Sequence, residues 1–215
     1  MQTTRYPGAL SALFPLWDLD SIQALGFDTL GRRLSCDGKE GPLTRSGSYL
    51  VPDGSEPALV REMLAFVQGG YEEAVGVPNG GRFVARLRGL PEDTPGNLGA
   101  WCAVTVSRAL LNGRLVPGFS MIRGARRLTD WFVARGARVR AEDVRPGDII
   151  SWAVPRENVP YGGHIGVVCH VEGDDVYVIE GNGSAPRGRV RLYRYSLAAG
   201  LVYGSHPVWA IVRPV

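Results

Sequence analysis

Three side-chain types at wide spacing could together perform nucleophilic chemistry: the thiol of Cys102, the imidazole of His164, and an oxygen acceptor from Glu180 or Asn182. A thiolate attacks a carbonyl carbon. It needs a base that takes up the thiol proton and later delivers it to the leaving group, and that base needs an acceptor behind it to fix its tautomer and stabilise its charged form. The three lie in short glycine-flanked or aromatic-flanked motifs: Trp101-Cys102-Ala103, Gly163-His164-Ile165-Gly166 and Glu180-Gly181-Asn182.

The elements that must carry them can be read around them. Ala103, Val106 and Leu110 recur at three- and four-residue spacing after Cys102, which predicts a helix with one buried face ending near Asn112-Gly113. Cys102 then lies in the first turn, where free N–H groups and the positive end of the helix dipole favour a thiolate. His164 opens a β-patterned run reaching Val171. Period-two alternation sets His164 and Cys169 on opposite faces, so Cys169 is expected to be a core thiol. On the next run Val178, Glu180 and Asn182 share a face, and either polar residue could accept from the His164 ring. His170 shares the His164 face but sits roughly 20 Å along the strand, at about 3.3 Å per residue, so both cannot serve one thiol. His206, before Pro207, reads as structural.

Other elements fill in the frame. Leu59, Met63, Leu64, Phe66 and Val67 form a helical stripe, with Ser55 as its cap, Pro57 in its first turn and Gly69-Gly70 as its stop. A second short helix is expected around Phe83, Leu87 and Leu90, and a third over residues 121 to 136. After these the pattern changes to strands at 149–152, 165–171, 176–179, 190–195 and 208–212, with a hairpin at Glu172-Gly173-Asp174-Asp175. The expected fold class is α+β: helices packed on an antiparallel sheet of about five strands, curled into a partial barrel.

Composition narrows the function classes. At 215 residues with a net charge of +3, the chain can form one sizeable domain and a small appendage, and its scattered arginines lack the aromatic interleaving of a nucleic-acid surface. No DNA or RNA partner is expected. The cysteines, Cys36, Cys102 and Cys169, are odd in number and form no Cys-x-x-Cys pair, which suits neither a disulfide framework nor a zinc knuckle. No phosphate loop, dinucleotide fingerprint or His-Glu-x-x-His motif occurs, and the Asp37 to Glu40 loop has too few oxygen ligands for calcium. The expectation is no metal and no organic cofactor. Residues 1–17 do not read as a secretory signal and no run reaches transmembrane length, so synthesis in the cytoplasm, no membrane insertion and a monomer are expected.

Residues 1–52 read as an N-terminal extension and 53–215 as the main domain. A helix beginning at Asp20-Ser21-Ile22-Gln23 and the loop Asp37-Gly38-Lys39-Glu40-Gly41-Pro42 resemble the peptidoglycan-binding modules found beside wall hydrolases. The alternative is an extension that packs on the main domain.

Taken together, "Trp-Cys-Ala-x-x-Val-Ser-x-Ala-Leu", "Pro-Gly-Asp-Ile-Ile", "Gly-Gly-His-Ile-Gly-Val-Val" and "Glu-Gly-Asn" resemble the CHAP family of cysteine-dependent peptidoglycan amidases and endopeptidases, over about residues 57 to 195. The resemblance implies a papain-like fold, bacterial peptidoglycan as partner, and cleavage of an amide bond in its peptides through a thioester. It implies Cys102 as nucleophile, His164 as base, and Glu180 with Asn182 as polar partners. Trp101 stands where many members place a Gln that helps form the oxyanion hole, as it does in a phage-associated branch. Trp101 and Gly163 are therefore expected at the substrate, although Trp101 could equally be core. Backbone N–H groups of the Cys102 helix are the expected oxyanion donors. The implied setting is a lysin, a virion-borne wall enzyme or a delivered effector. The same parts would also suit an acyltransferase, or a non-catalytic wall-binding or virion protein on this fold.

Overall fold

The computed structural model describes residues 2–5, 48–51, 56–153, 163–183 and 188–214. The expected helix at 20–25, the loop at 37–42, Cys36 and the Ser55 cap lie outside them. Near the start, strands β1 (Gln2–Arg5) and β2 (Ser48–Val51) pair antiparallel, with Gln2 opposite Val51 and Arg5 opposite Ser48.

Among the described residues four α-helices precede the main sheet. These are α1 (Ala58–Gln68), α2 (Arg82–Arg88), α3 (Cys102–Asn112) and α4 (Ala125–Val133). The apolar stripe expected on α1 is buried as Leu59, Met63, Leu64, Phe66 and Val67. The helix begins one residue after Pro57, whose fixed φ suits a helix start and whose missing N–H costs nothing there. The third expected helix, α4, starts four residues later than its pattern suggested. Residues 121–124 form no helix and are tied to α3 by the Ser107 hydroxyl, which donates to the Ile122 carbonyl at 2.7 Å.

The sheet has six strands in the order β3 (Arg138–Val139), β8 (Val208–Val212), β4 (Ile149–Trp152), β5 (His164–Glu172), β6 (Asp175–Gly183) and β7 (Arg189–Ser196). Each neighbouring pair is antiparallel. The architecture is the α+β, papain-like arrangement, with one strand more than the pattern showed because β3 is only two residues long, too short for any alternation to register. Gly173 and Asp174 make the β5–β6 hairpin, with Gly173 at φ 58°. Asp148 holds the turn into β4: its carboxylate accepts from the Arg145 N–H and from Arg213 through both Nε and Nη2.

Alternation along the strands divides the core. One face carries Ile165, Val167, Cys169, Tyr177 and Ile179 and packs against the helices, whereas Ile150, Trp152, Val168, Val176 and Val178 pack on the other. Cys169 is fully buried and its thiol donates to the Tyr177 carbonyl, in keeping with a core role. Burial pushes that thiol's pKa far up.

Helix α3 docks on β6 through a glycine. A Cβ at Gly181 would stand 2.1 Å from Thr105 Oγ1 and 2.7 Å from its Cβ, a separation that short, hydrogen-bonded side chain cannot widen. Gly181→Ala is therefore expected to cost about 1–3 kcal/mol through overpacking. A urea titration of native and variant chains checks this, and an unchanged midpoint would contradict the close docking.

Candidate active site

The site is built where the first turn of α3 meets the starts and ends of β5 and β6. Cys102 is the first residue of α3 and is 6% exposed. Trp101, the residue before it, provides no side-chain cap, and the first intrahelical bond runs from Thr105 N–H to the Trp101 carbonyl. The N–H groups of the first turn therefore have no helical partner, and the helix presents them with its positive end beside the sulfur.

His164 opens β5, where Trp152 is its cross-strand neighbour on β4. Its ring is buried and its Nε2 lies 2.7 Å from Glu180 Oε2. Glu180 reaches it because Gly166, directly opposite Glu180 on β5, has no side chain: a Cβ there would stand 2.7 Å from Glu180 Cγ. The Cys102 side chain is close enough to the ring to help raise its pKa. With Nε2 engaged by the carboxylate, Nδ1 is the nitrogen left for the thiol.

The electrostatics of the ring follow from these contacts. Burial alone would lower the His164 pKa, but the charge of Glu180, its hydrogen bond to the ring and the nearby Cys102 side chain outweigh it and hold it well above the ordinary 6.5. Because the folded-state value exceeds that of the unfolded chain, the stabilisation from the charged ring is complete below about pH 6.5 and fades as pH rises through the raised value. Urea midpoints measured between pH 6 and pH 10 should show this loss in the native chain and not in His164→Gln.

Glu180 is fully buried, and its second oxygen is also occupied: Tyr195 on β7 donates to Oε1 at 2.5 Å. Burial first, then the carboxylate itself, pushes the Tyr195 phenol far up, so it stays a donor. The imidazole is flanked by Tyr203, with ring centroids 4.4 Å apart and planes 22° apart, and by Trp152 at 5.9 Å. Trp152 is in turn fixed by its Nε1, which donates to the Leu201 carbonyl at 2.6 Å. Packing on one side and a carboxylate on the other leave the ring one orientation.

Two expectations need correction. Asn182 does not share the Glu180 face. The β6–β7 register shifts between Glu180 and Gly183, and Asn182 adopts φ 60°, which turns its side chain toward Gly188; its Oδ1 is 2.8 Å from where a Gly188 Cβ would be. Glu180 is thus the acceptor bonded to the ring. Trp101 does not line a cleft. It is fully buried, and its Nε1 donates to Glu73 Oε1 at 3.0 Å. Gly163 does stand next to the ring on the chain, partly exposed, with the start of α4 close by: a Cβ on it would be 3.5 Å from Ala125 Cβ.

Residue-type reasoning missed Glu73, Tyr195, Tyr203 and Trp152. Glu73 joins three segments, accepting from Trp101, from the Asn79 N–H at 2.8 Å and from the Gly188 N–H at 3.0 Å, so it fixes the residue before Cys102 to the start of β7. None of these four sits in a motif of its own, and only the folded sheet brings them to the site. Neither of the other imidazoles bonds the Glu180 carboxylate: His170, past a bulge between Val168 and His170, packs on Tyr177, and His206 stacks on Tyr203 at 6.5 Å and bridges to it in a turn. Among the described residues no group of three His, Cys, Asp or Glu is gathered in a way that could hold a metal ion.

Comparison with curated proteins gives no match. Among solved structures, the crystal structure of Ly7917 is similar at 20% identity and a TM-score of 0.38, over 73% of this chain and 61% of that one. This chain thus spans less than two thirds of that protein's length. Cys102, His164, Glu180 and Asn182 all fall within the stretch that the CHAP domain family model matches, residues 94–182.

Proposed function

We infer that the chain is a cysteine-dependent hydrolase that cleaves an amide bond in bacterial wall peptides, as an endopeptidase or an N-acetylmuramoyl-L-alanine amidase. CHAP domains are generally cysteine-dependent amidase-type hydrolases, which supports the reaction class. The observation that carries the reading is the His164 ring, buried and bonded to Glu180, with the Cys102 side chain near enough to help raise its pKa.

The chemistry follows from that geometry. The Cys102 thiol gives its proton to His164 and its sulfur attacks the scissile carbonyl carbon, and the oxyanion that forms is received by the N–H groups of the first α3 turn, which have no helical partner. The C–N bond then breaks, and the departing amine takes the proton from the His164 imidazolium. A water loses its proton to the now neutral ring and adds to the thioester. The protonated ring returns that proton to the sulfur side as the acid product leaves. Glu180 stabilises each charged state of the ring, and Tyr195 keeps Glu180 in place.

Digestion of purified walls followed by mass spectrometry of the released muropeptides tests the reading. Native chain is expected to generate new peptide amine or muramoyl ends, and the position of those ends identifies the bond. The same products from Cys102→Ala would overturn it.

A further inference from the structure

The segment that follows β7 returns to the His164 ring and lays one phenol on it. Leu201 is buried, its N–H donates to the Ser196 carbonyl at 2.8 Å, and its carbonyl accepts from Trp152 Nε1 at 2.6 Å. Two residues on, Tyr203 and His206 exchange backbone bonds of 3.0 and 2.9 Å around Gly204, whose φ of 59° suits so tight a turn. The Pro207 carbonyl then accepts from the Ala153 N–H, just past the end of β4. Tyr203 is thus tied to the sheet on both sides of its turn.

That anchoring fixes a particular ring geometry. The Tyr203 centroid stands 4.4 Å from that of His164 with the planes 22° apart, and Trp152 backs the phenol at 5.5 Å. At that distance and tilt the imidazole lies over the face of the phenol rather than against its edge. The face of an aromatic ring carries the negative part of its quadrupole, so it attracts a cation within about 6 Å of the centroid more strongly than it attracts a neutral ring. The contact therefore favours imidazolium over imidazole, and with His164 only 6% exposed water does little to weaken it.

Each element packed on the imidazole contributes one group: Cys102 from α3, Trp152 from β4, Glu180 from β6 and Tyr203 from the turn. Tyr195 stands behind, on the second Glu180 oxygen, and Tyr193 is near enough that burial first, and then Glu180, push its phenol up. His206 stacks on Tyr203 in turn. The two groups that favour the charged ring act from different directions. Glu180 works at Nε2, on the rim of the imidazole, and Tyr203 works across its face.

We propose that Tyr203 is a positioning residue of the reaction, whose ring face holds the His164 imidazole and stabilises it as the imidazolium through a cation–π contact. The proposal rests on His164 serving as the acid and base of a cysteine hydrolase. It gives Tyr203 an electronic task in addition to packing, because the charged ring that protonates the leaving amine is the state the contact favours.

Fluorinated phenylalanines at position 203 separate that task from packing, since each fluorine draws electron density from the ring face while the shape changes little. Full-length chains carrying Tyr203→Phe or its mono-, di- and trifluoro analogues are labelled at histidine. The His164 signal, the one missing from His164→Gln, is then titrated by NMR. Its midpoint is expected to fall at each step, by about one pH unit across the series. The alkaline limb of kcat should move with it, so that at a fixed pH above the midpoint the trifluoro chain cleaves about tenfold more slowly than Tyr203→Phe. A midpoint that stays in place from the unfluorinated to the trifluoro ring would overturn the contact, because equal packing would then give equal basicity. A midpoint that moves under an unmoved limb would overturn the role in the reaction. If the midpoint follows the fluorines in chains that cleave no wall peptide, the contact stands and the hydrolase reading fails.

Discussion

Replacing Cys102 by Ala is expected to lower the rate of wall-peptide cleavage by about 10,000-fold or more while leaving the chain folded. The side chain is almost fully buried at the head of α3, but truncating a thiol to a methyl removes a single heavy atom, and its cost to stability is about 1 kcal/mol. The first-turn N–H groups and any substrate contacts survive, so the residual rate would be what binding and oxyanion stabilisation provide without a covalent path. Product release from a turbid wall suspension measures the effect, with urea unfolding as the control. Release within tenfold of native would show that Cys102 is not the nucleophile, and no release from either chain would favour a non-catalytic wall-binding role.

The second large effect is expected at Glu180. Glu180→Gln keeps the volume and one oxygen for the ring, yet removes the buried charge that holds the imidazolium. By analogy with other oriented imidazoles, kcat should fall by about 100- to 10,000-fold. A merely structural role would lower stability without altering the pH profile. The catalytic role predicts a specific change in it, because the leaving amine needs the proton on His164. Activity is therefore lost as pH rises through the His164 pKa. Glu180 raises that pKa, so in Glu180→Gln the alkaline limb of the profile should move to lower pH. A limb that stays in place would show that another group sets it.

The parts of this site legible in the sequence were those that depend on local periodicity. The spacing of Ala103, Val106 and Leu110 put Cys102 at the head of a helix, and alternation over residues 164–170 separated His164 from Cys169. Alternation failed two residues past Glu180, where a bulge and the left-handed backbone of Asn182 reset which way side chains point; a period-two rule has no means of anticipating either. Trp101 looked equally suited to core and cleft because its burial depends on Glu73, 28 positions earlier, whose carboxylate satisfies the indole N–H. Tyr195, Tyr203 and Trp152 were invisible for a related reason. Each comes from a different strand or turn, and only the register of β4, β6 and β7 gathers them around one imidazole. Helix starts, strand runs and the reactive side chains could thus be read one segment at a time, whereas the supporting shell is a property of the assembled sheet.

The most direct test looks for the bond that the Cys102 sulfur is said to form. Native chain mixed with a wall-derived peptide, quenched in acid within its first turnovers and digested, should yield a peptide spanning Cys102 whose mass is increased by the acyl half of the substrate, with the amine half already released. The increase should vanish in Cys102→Ala and decay on longer incubation as water completes the cycle. Hydrolysed product accumulating at the native rate while Cys102 is never acylated, even in a Glu180→Gln chain slowed enough for an intermediate to build up, would contradict the account.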